Sequence, residues 1–424
     1  MLMDDLLSRH RRVMPAWMPV YYDEPIELVT GKGSRVTDSN GKIYLDFFGG
    51  VLTNSLGYDL PEVREAIERQ LRTGIMHTST LYLIRAQVEL AEKIARLSGI
   101  PDARVFFTNS GTEANEAALQ VATNNRGGNS ILAVRNSYHG RTAATIAVTG
   151  NRAWSASALS PFNVSYLHSG DRLRGLFKGM SDERYLEAAE EDLREVLATT
   201  TAGPVACLIA EPIQGVGGFT HGPDGLLAVW KRVLDEHGIL LVSDEVQTGW
   251  GRTGAHFWGY QAHGVTPDLL TFAKGVGNGM ALAGVVGRAG VLESVQGISF
   301  STFGGNPLAT AAGNAVLDYI LEHDLQENAA RTGAIILDGL RALSSPIVAE
   351  VRGRGLMIGV ELTSAAATTA VFESCKRDGL LIGKGGLYGT TLRMGPPLNL
   401  TEAEAREGLE ILTSALHEHG TVSG

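Results

Sequence analysis

The chain has 424 residues, 44% hydrophobic and 19% charged, with a net charge of −10. These values fit a globular protein of two to three folding units and argue against nonspecific nucleic-acid binding, since no basic stripe with interleaved aromatics offsets the acidic balance. The two cysteines, Cys207 and Cys375, lack CxxC spacing, so neither a disulfide framework nor a zinc site is expected, and no other metal site is indicated.

No apolar run approaches the roughly 18 residues of a membrane span, so no membrane partner is expected. Arg9, Arg11 and Arg12 hint at a transit peptide, but Asp4, Asp5, Asp23 and Glu24 speak against one. A reducing, cytoplasmic setting is the expectation. Residues 1–30 read as irregular, punctuated by Pro15, Pro19 and Pro25. Arg35 to Asp46 reads as two strands around an Asn40-Gly41 turn. Pro61 to Thr73 predicts a helix with proline in its first turn, and Ala86 to Leu97 a second one.

Alternation follows. Strands are predicted at 104–108, 131–134, 205–210, 239–242, 269–272 and 283–287, with helices at about 112–124 and 226–236. Residues 170–200 are more polar and read as a surface excursion with one helix. Strands separated by helices imply a mostly parallel sheet covered on both faces. After Asn306-Pro307 come long helices at about 307–322 and 326–343, a hairpin at 348–352 and 356–362, and a final helix opened by the capping box Thr401 to Glu404. The expected division is an N-terminal segment, 1–55, packing with a small domain, 307–424, beside a large domain, 56–306.

Two strands present charged residues at their C-terminal ends, Asp244 and Lys274. Open α/β sheets place ligand chemistry there. The pair reads as a salt bridge, as a metal site with a base, or as the protein ends of a pyridoxal phosphate site. Ser110, Gly111 and Thr112 sit where a strand hands over to a helix, which suits a phosphate dianion as well as a plain N-cap. No GxxxxGK motif occurs, and Gly353 to Gly359 fails as a dinucleotide fingerprint. Tyr138 follows another strand, as a ring-stacking aromatic or a surface-turn residue, and His139 beside it fits a structural role better than a catalytic one.

Together, Ser110-Gly-Thr-Glu-Ala-Asn115, Tyr138-His-Gly140, Glu211-Pro-Ile-Gln-Gly215, Asp244-Glu-Val-Gln-Thr-Gly249, Ala273-Lys-Gly275, Thr302-Phe-Gly-Gly-Asn-Pro307 and Leu392-Arg-Met-Gly-Pro396 closely resemble the class III aminotransferases. The resemblance runs from about Tyr44 to Ala415. It implies fold-type I: an α/β architecture with a mostly parallel central sheet, helices on both faces and a smaller α+β domain. It also implies pyridoxal 5′-phosphate, with Lys274 as Schiff-base lysine and acid/base, and Asp244 on the pyridine nitrogen. By the same resemblance Tyr138 and Val246 sandwich the ring, Gln247 meets its phenolic oxygen, and Ser110, Gly111 and Thr112 cradle the phosphate. Glu211 supports the site or the structure around it. Thr302 reaches the phosphate of the other subunit of a homodimer, with His77 to Ser79 at the same interface. Arg393 matches the arginine that binds a substrate α-carboxylate.

The chain departs from glutamate- and ornithine-type members, which carry a Glu two residues after the Gln of Glu-Pro-Ile-Gln. Here Gln214-Gly-Val216 leaves Arg393 without that mask, as in the alanine–glyoxylate branch, which His77 to Thr80 and Gly353 to Gly359 also resemble. The expected reaction is a ping-pong transfer from an amino acid or ω-amine to a 2-oxo acid, pyruvate or glyoxylate. Arg141 keeps a 2-oxoglutarate-dependent, 4-aminobutyrate- or acetylornithine-type enzyme as the alternative, because an arginine there can hold a distal carboxylate. A fold-mate catalysing amino shift, racemisation or decarboxylation would use the same Lys274 and Asp244, and a noncatalytic ligand sensor would more readily lack Lys274.

Overall fold

The computed structural model describes residues 5–18, 20–155, 157, 159–168 and 170–420. Asp4 and Pro19, used in reading the N-terminal segment, lie outside the described residues. That segment is not irregular throughout. Leu6–Val13 is a helix, capped by Asp5, whose Oδ1 accepts from the Ser8 N–H at 2.7 Å. No proline occurs before Pro15, so a single capping aspartate suffices to start it.

Strands β1 (Leu28–Lys32), β2 (Arg35–Asp38) and β3 (Ile43–Asp46) follow. The β2–β3 turn falls at Asn40-Gly41 as expected. Gly41 has φ 82°, and Asp38 Oδ1 accepts from the N–H groups of Asn40 and Lys42, both at 2.9 Å. Next come β4 (Ala103–Thr108), β5 (Ser130–Val134), β6 (Asn163–Leu167), β7 (Val205–Ala210), β8 (Leu240–Asp244), β9 (Leu269–Phe272) and β10 (Ala283–Arg288). They form one sheet in the order β4-β10-β9-β8-β7-β5-β6. Pairing is parallel from β6 through β9, while β10 runs antiparallel to both β4 and β9.

Every residue of β5, β7, β8 and β9 is buried. This is why they read as unbroken apolar runs rather than alternations. Successive residues serve opposite faces. Ile131, Cys207 and Val242 pack with Ala114, Ala118 and Ala122 of the helix Gly111–Arg126, whereas Leu132, Leu208 and Leu241 pack with Trp230, Val233 and Leu193 of two other helices. The edge strand β6 was not expected from sequence, because Asn163 and Ser165 dilute its apolar character and only Leu167 is fully buried.

The C-terminal part contributes β11 (Val348–Arg354), β12 (Met357–Leu362), β13 (Leu380–Leu381), β14 (Gly383–Gly385) and β15 (Thr391–Met394). An antiparallel sheet has the order β11-β12-β15-β14, while β13 pairs in parallel with β3 and so ties the N-terminal strands to the chain's last hundred residues. The final helix, Glu402–Gly420, has the expected capping box. Glu404 Oε2 accepts from the Thr401 N–H at 2.9 Å and Thr401 Oγ1 from the Glu404 N–H at 3.2 Å. Among the described residues no helix is long and apolar enough to cross a membrane, and Cys207 and Cys375 are free and buried.

Glu361 of β12 locks this second sheet. It is 2% exposed and accepts from Thr390 and Thr391, both at 2.6 Å, from Arg352 at 2.7 Å and from Arg174 of the surface excursion at 2.8 Å. Burial pushes its carboxyl pKa up, but the two hydroxyls and the Arg352 guanidinium outweigh it and bring the value down to about 2. A carboxyl with a lowered folded-state pKa contributes stability that is present above its ordinary value of 4.5 and lost as pH falls through about 2. Glu361→Gln is therefore expected to lower the unfolding free energy at neutral pH by about 3 kcal/mol. Urea titrations should show the gap to wild type closing as pH falls through that window.

Candidate active site

Five strand ends meet at one edge of the large sheet. β4 leads to Ser110, β5 to Tyr138, β7 to Glu211, β8 ends at Asp244, and β9 leads to Lys274. Parallel strands aim their C-terminal ends at the same edge, so residues separated by more than 160 positions converge.

Asp244 is 4% exposed and fully engaged. Its Oδ2 accepts from Asn115 Nδ2 at 2.8 Å and lies 2.8 Å from His139 Nδ1, and its Oδ1 accepts from the Val246 N–H at 3.1 Å. Asn115 is oriented in turn by Thr271, whose hydroxyl donates to Asn115 Oδ1 at 2.6 Å, and by its own second bond to the His139 carbonyl at 2.8 Å. Sequence reasoning gave Asn115 no role. The available signal was a lone amide on an alanine-rich buried stripe, one turn beyond Gly111. His139, read as structural, is buried against the site carboxylate.

Lys274 adopts φ 52°, the left-handed region that a non-glycine residue enters at a cost of about 1 kcal/mol. The neighbouring peptides are pinned. Trp250 Nε1 donates to the Ala273 carbonyl at 3.2 Å and Ser55 Oγ to that of Gly275 at 2.6 Å. Burial lowers the Lys274 pKa. Asp244 and Glu211 oppose that shift, and the Arg393 cation adds to it. A lowered value enriches the neutral, nucleophilic amine. Asp244 gives its oxygens to other donors, and its influence on Lys274 is coulombic. This disfavours the plain salt-bridge reading. Among the described residues no three His, Cys, Asp or Glu side chains gather as a cation site.

Ser110 caps the helix Gly111–Arg126, its Oγ accepting from the Glu113 N–H at 3.2 Å. The Glu113 carboxylate turns away to Asn109, which donates through its N–H at 2.7 Å and Nδ2 at 3.0 Å. The first N–H groups of this positive helix end have no intrahelical partner. A Cβ on Gly111 would stand 3.1 Å from both γ-methyls of Val246, so any larger residue would push Val246 by a few tenths of an ångström. Tyr138 is half-buried, edge-on to Trp154 at 5.7 Å, and burial raises its hydroxyl pKa. Glu211 accepts from the Tyr138 N–H at 2.9 Å and the Gly215 N–H at 2.7 Å, and burial pushes its carboxyl pKa up.

Arg393, on β15, is 3% exposed. It donates to the carbonyls of Gly215 at 3.0 Å and Lys384 at 3.1 Å and lies against the rings of Phe48 and Phe219. Arg141 is exposed over the Trp17 ring, 5.5 Å from its centroid. Thr302 is exposed beside Phe303, whose ring meets His77 at 4.7 Å. The Arg141 charge is felt at Tyr138, and Ser301, next to Thr302, accepts from Asn109 Nδ2 at 3.1 Å.

The family of class III aminotransferases matches this chain over residues 18–416. The chain belongs to the class III aminotransferases. It is 40% identical to alanine–glyoxylate aminotransferase 2 homolog 2, mitochondrial, of Arabidopsis thaliana, over 95% of this chain and 85% of that protein. It is 39% identical to the acetylornithine aminotransferase of Mycolicibacterium smegmatis, over 97% and 98%. A solved phospholyase from Arthrobacter in complex with phosphoethanolamine superposes with a TM-score of 0.88 at 33% identity, covering 97% of this chain and 99% of that one.

This class III aminotransferase uses pyridoxal 5′-phosphate, and its own residues fit that group. Among the described residues Gln247 Oε1 and His139 Nε2 are buried without a partner, Gly111 keeps a helix N-terminus narrow beside Val246, and the Asp244 charge acts on a half-buried lysine with a lowered pKa. Asp244→Asn keeps the shape of the carboxyl but removes its charge. Its transamination rate should fall at least about a hundredfold, with the fold retained by circular dichroism.

Proposed function

We propose that this aminotransferase exchanges an amino group between L-alanine-like α-amino acids and a short 2-oxo acid, pyruvate or glyoxylate, in two ping-pong half-reactions. The observation that carries this reading is the environment of Arg393. The guanidinium is buried among aromatic rings and bonded to backbone carbonyls, with no carboxylate among those bonds. Val216 stands where a masking glutamate would. An unmasked planar fork takes an α-carboxylate in both half-reactions.

Bound pyridoxal phosphate supplies an electron-withdrawing ring that stabilises negative charge at the substrate carbon. In our reading Asp244 holds the ring nitrogen, with Asn115 and His139 fixing the carboxylate. Lys274 is the attachment point and, when free, the base that moves the α-proton. Ser110, Gly111 and Thr112 hold the phosphate, Tyr138 and Val246 flank the ring, Gln247 meets the phenolic oxygen, and Glu211 fixes the backbone at Tyr138 and Gly215. Thr302 acts across a homodimer interface. The segments 1–55, 56–306 and 307–424 serve as N-terminal segment, large domain and small domain, and two free thiols suit a reducing cytoplasm.

The acetylornithine-type alternative needs a second carboxylate site. Arg141, lying on Trp17, offers less for it than Arg393 offers an α-carboxylate. The holoenzyme, freed of donor, is mixed with L-alanine, L-glutamate or 4-aminobutyrate while the visible absorption of the lysine-linked cofactor is followed. Alanine is expected to bleach it fastest. Conversion by glutamate at equal speed favours the alternative, and turnover without a 2-oxo acid places the chain with fold-mates of other chemistry.

A further inference from the structure

A second arginine near the site is buried without a carboxylate partner among the described residues. Arg252 is 3% exposed, and its NH1 donates to the carbonyls of Pro396 and, at 3.4 Å, of Leu356. The Leu356 N–H returns a bond to the Arg252 carbonyl at 3.0 Å. Burial brings its pKa down to about 10, so the position is electrostatically costly and a neutral side chain would suffer less. The surrounding contacts are tight. A Cβ on Gly355 would stand 2.5 Å from the Thr253 carbonyl carbon, and one on Gly254 would stand 2.7 Å from Ala330 Cα.

The two ends of the loop after β8 are fixed by different groups. Near the site, buried Glu245 gathers the hydroxyls of Thr248 and of Ser243 (3.1 Å) with the N–H groups of Gly259 (2.7 Å) and Tyr260 (2.8 Å). That knot holds the segment bearing Asp244, Val246 and Gln247 without help from Arg252. On the far side, Arg252 grips Leu356, at the β11–β12 turn, and Pro396, three residues beyond Arg393. Arg252 thus joins the cofactor-side loop to the sheet that carries the carboxylate-binding arginine.

We propose that Arg252 is a positioning residue: it sets the distance between the cofactor-side loop and Arg393, and thereby the affinity for the substrate carboxylate. The proposal rests on the carboxylate role given above to Arg393. Losing the grip lets the C-terminal sheet ride away from the loop while the Glu245 knot keeps the cofactor contacts.

The test is a double-mutant cycle on the holoenzyme with L-alanine as donor. Arg252→Met should raise the alanine KM about tenfold, and Arg252→Lys, which keeps charge but not the reach of the fork, about threefold. Both should retain cofactor, measured as the affinity for pyridoxal phosphate, within threefold of wild type. In an Arg393→Gln background, the same Arg252 substitutions should change the alanine KM less than twofold, because the group they position is gone. Equal cost in both backgrounds, or loss of cofactor in step with the rise in KM, overturns the proposal. If Arg252→Met does not fold, Arg252→Lys carries the cycle. If Arg393→Gln alone leaves the alanine KM unchanged, the Arg393 reading fails first, visibly, and takes this inference with it.

Discussion

The site depends on one carboxylate kept in a fixed place at low exposure. Asp244 ends the most central of the buried parallel strands, and an amide, an imidazole and a backbone N–H converge on it. A buried carboxylate without such donors would be destabilising by several kcal/mol. With them it becomes a rigid point of negative charge. Strand order does the rest, since β9 delivers Lys274 on one side and β7 delivers Glu211 on the other.

Around that point the protein concentrates ionisable groups that a folding chain would otherwise keep in water. Glu211 and Lys274 both shift toward their neutral forms through burial, and Arg393 is held by carbonyls and aromatic faces. A site built this way is poorly satisfied until a polar ligand enters, as the unpartnered Gln247 Oε1 and His139 Nε2 illustrate. The Glu361 cluster in the C-terminal sheet shows the opposite balance. There, four donors saturate one carboxylate and produce structure rather than chemistry.

Much of this was legible in the sequence. The buried strands announced themselves as apolar runs, and their bounds differ from the expected ones by two residues at most. The hairpin at Gly41 and the capping box at Thr401 follow from local backbone chemistry, which sequence records directly. The helix Leu6–Val13 was missed because it buries no residue and rests on one local cap, and the strand β6 because its apolar signal is weak and its pairing with β5 stabilises it. The second layer of the site was harder still. Asn115, Thr271 and Arg252 act through contacts with residues far along the chain, and Glu245 through the closure of its own loop onto Gly259 and Tyr260; nothing local distinguishes them from ordinary polar residues in a buried stretch.

The central claim is that the amine at the end of β9 carries the cofactor. Reduction of the holoenzyme with borohydride fixes the lysine-to-cofactor linkage covalently, and peptide mapping by mass spectrometry then locates it. The account predicts the added mass on the peptide containing Lys274 and on no other lysine peptide. Label on any other lysine, or none on a protein that retains the visible absorption, would contradict it.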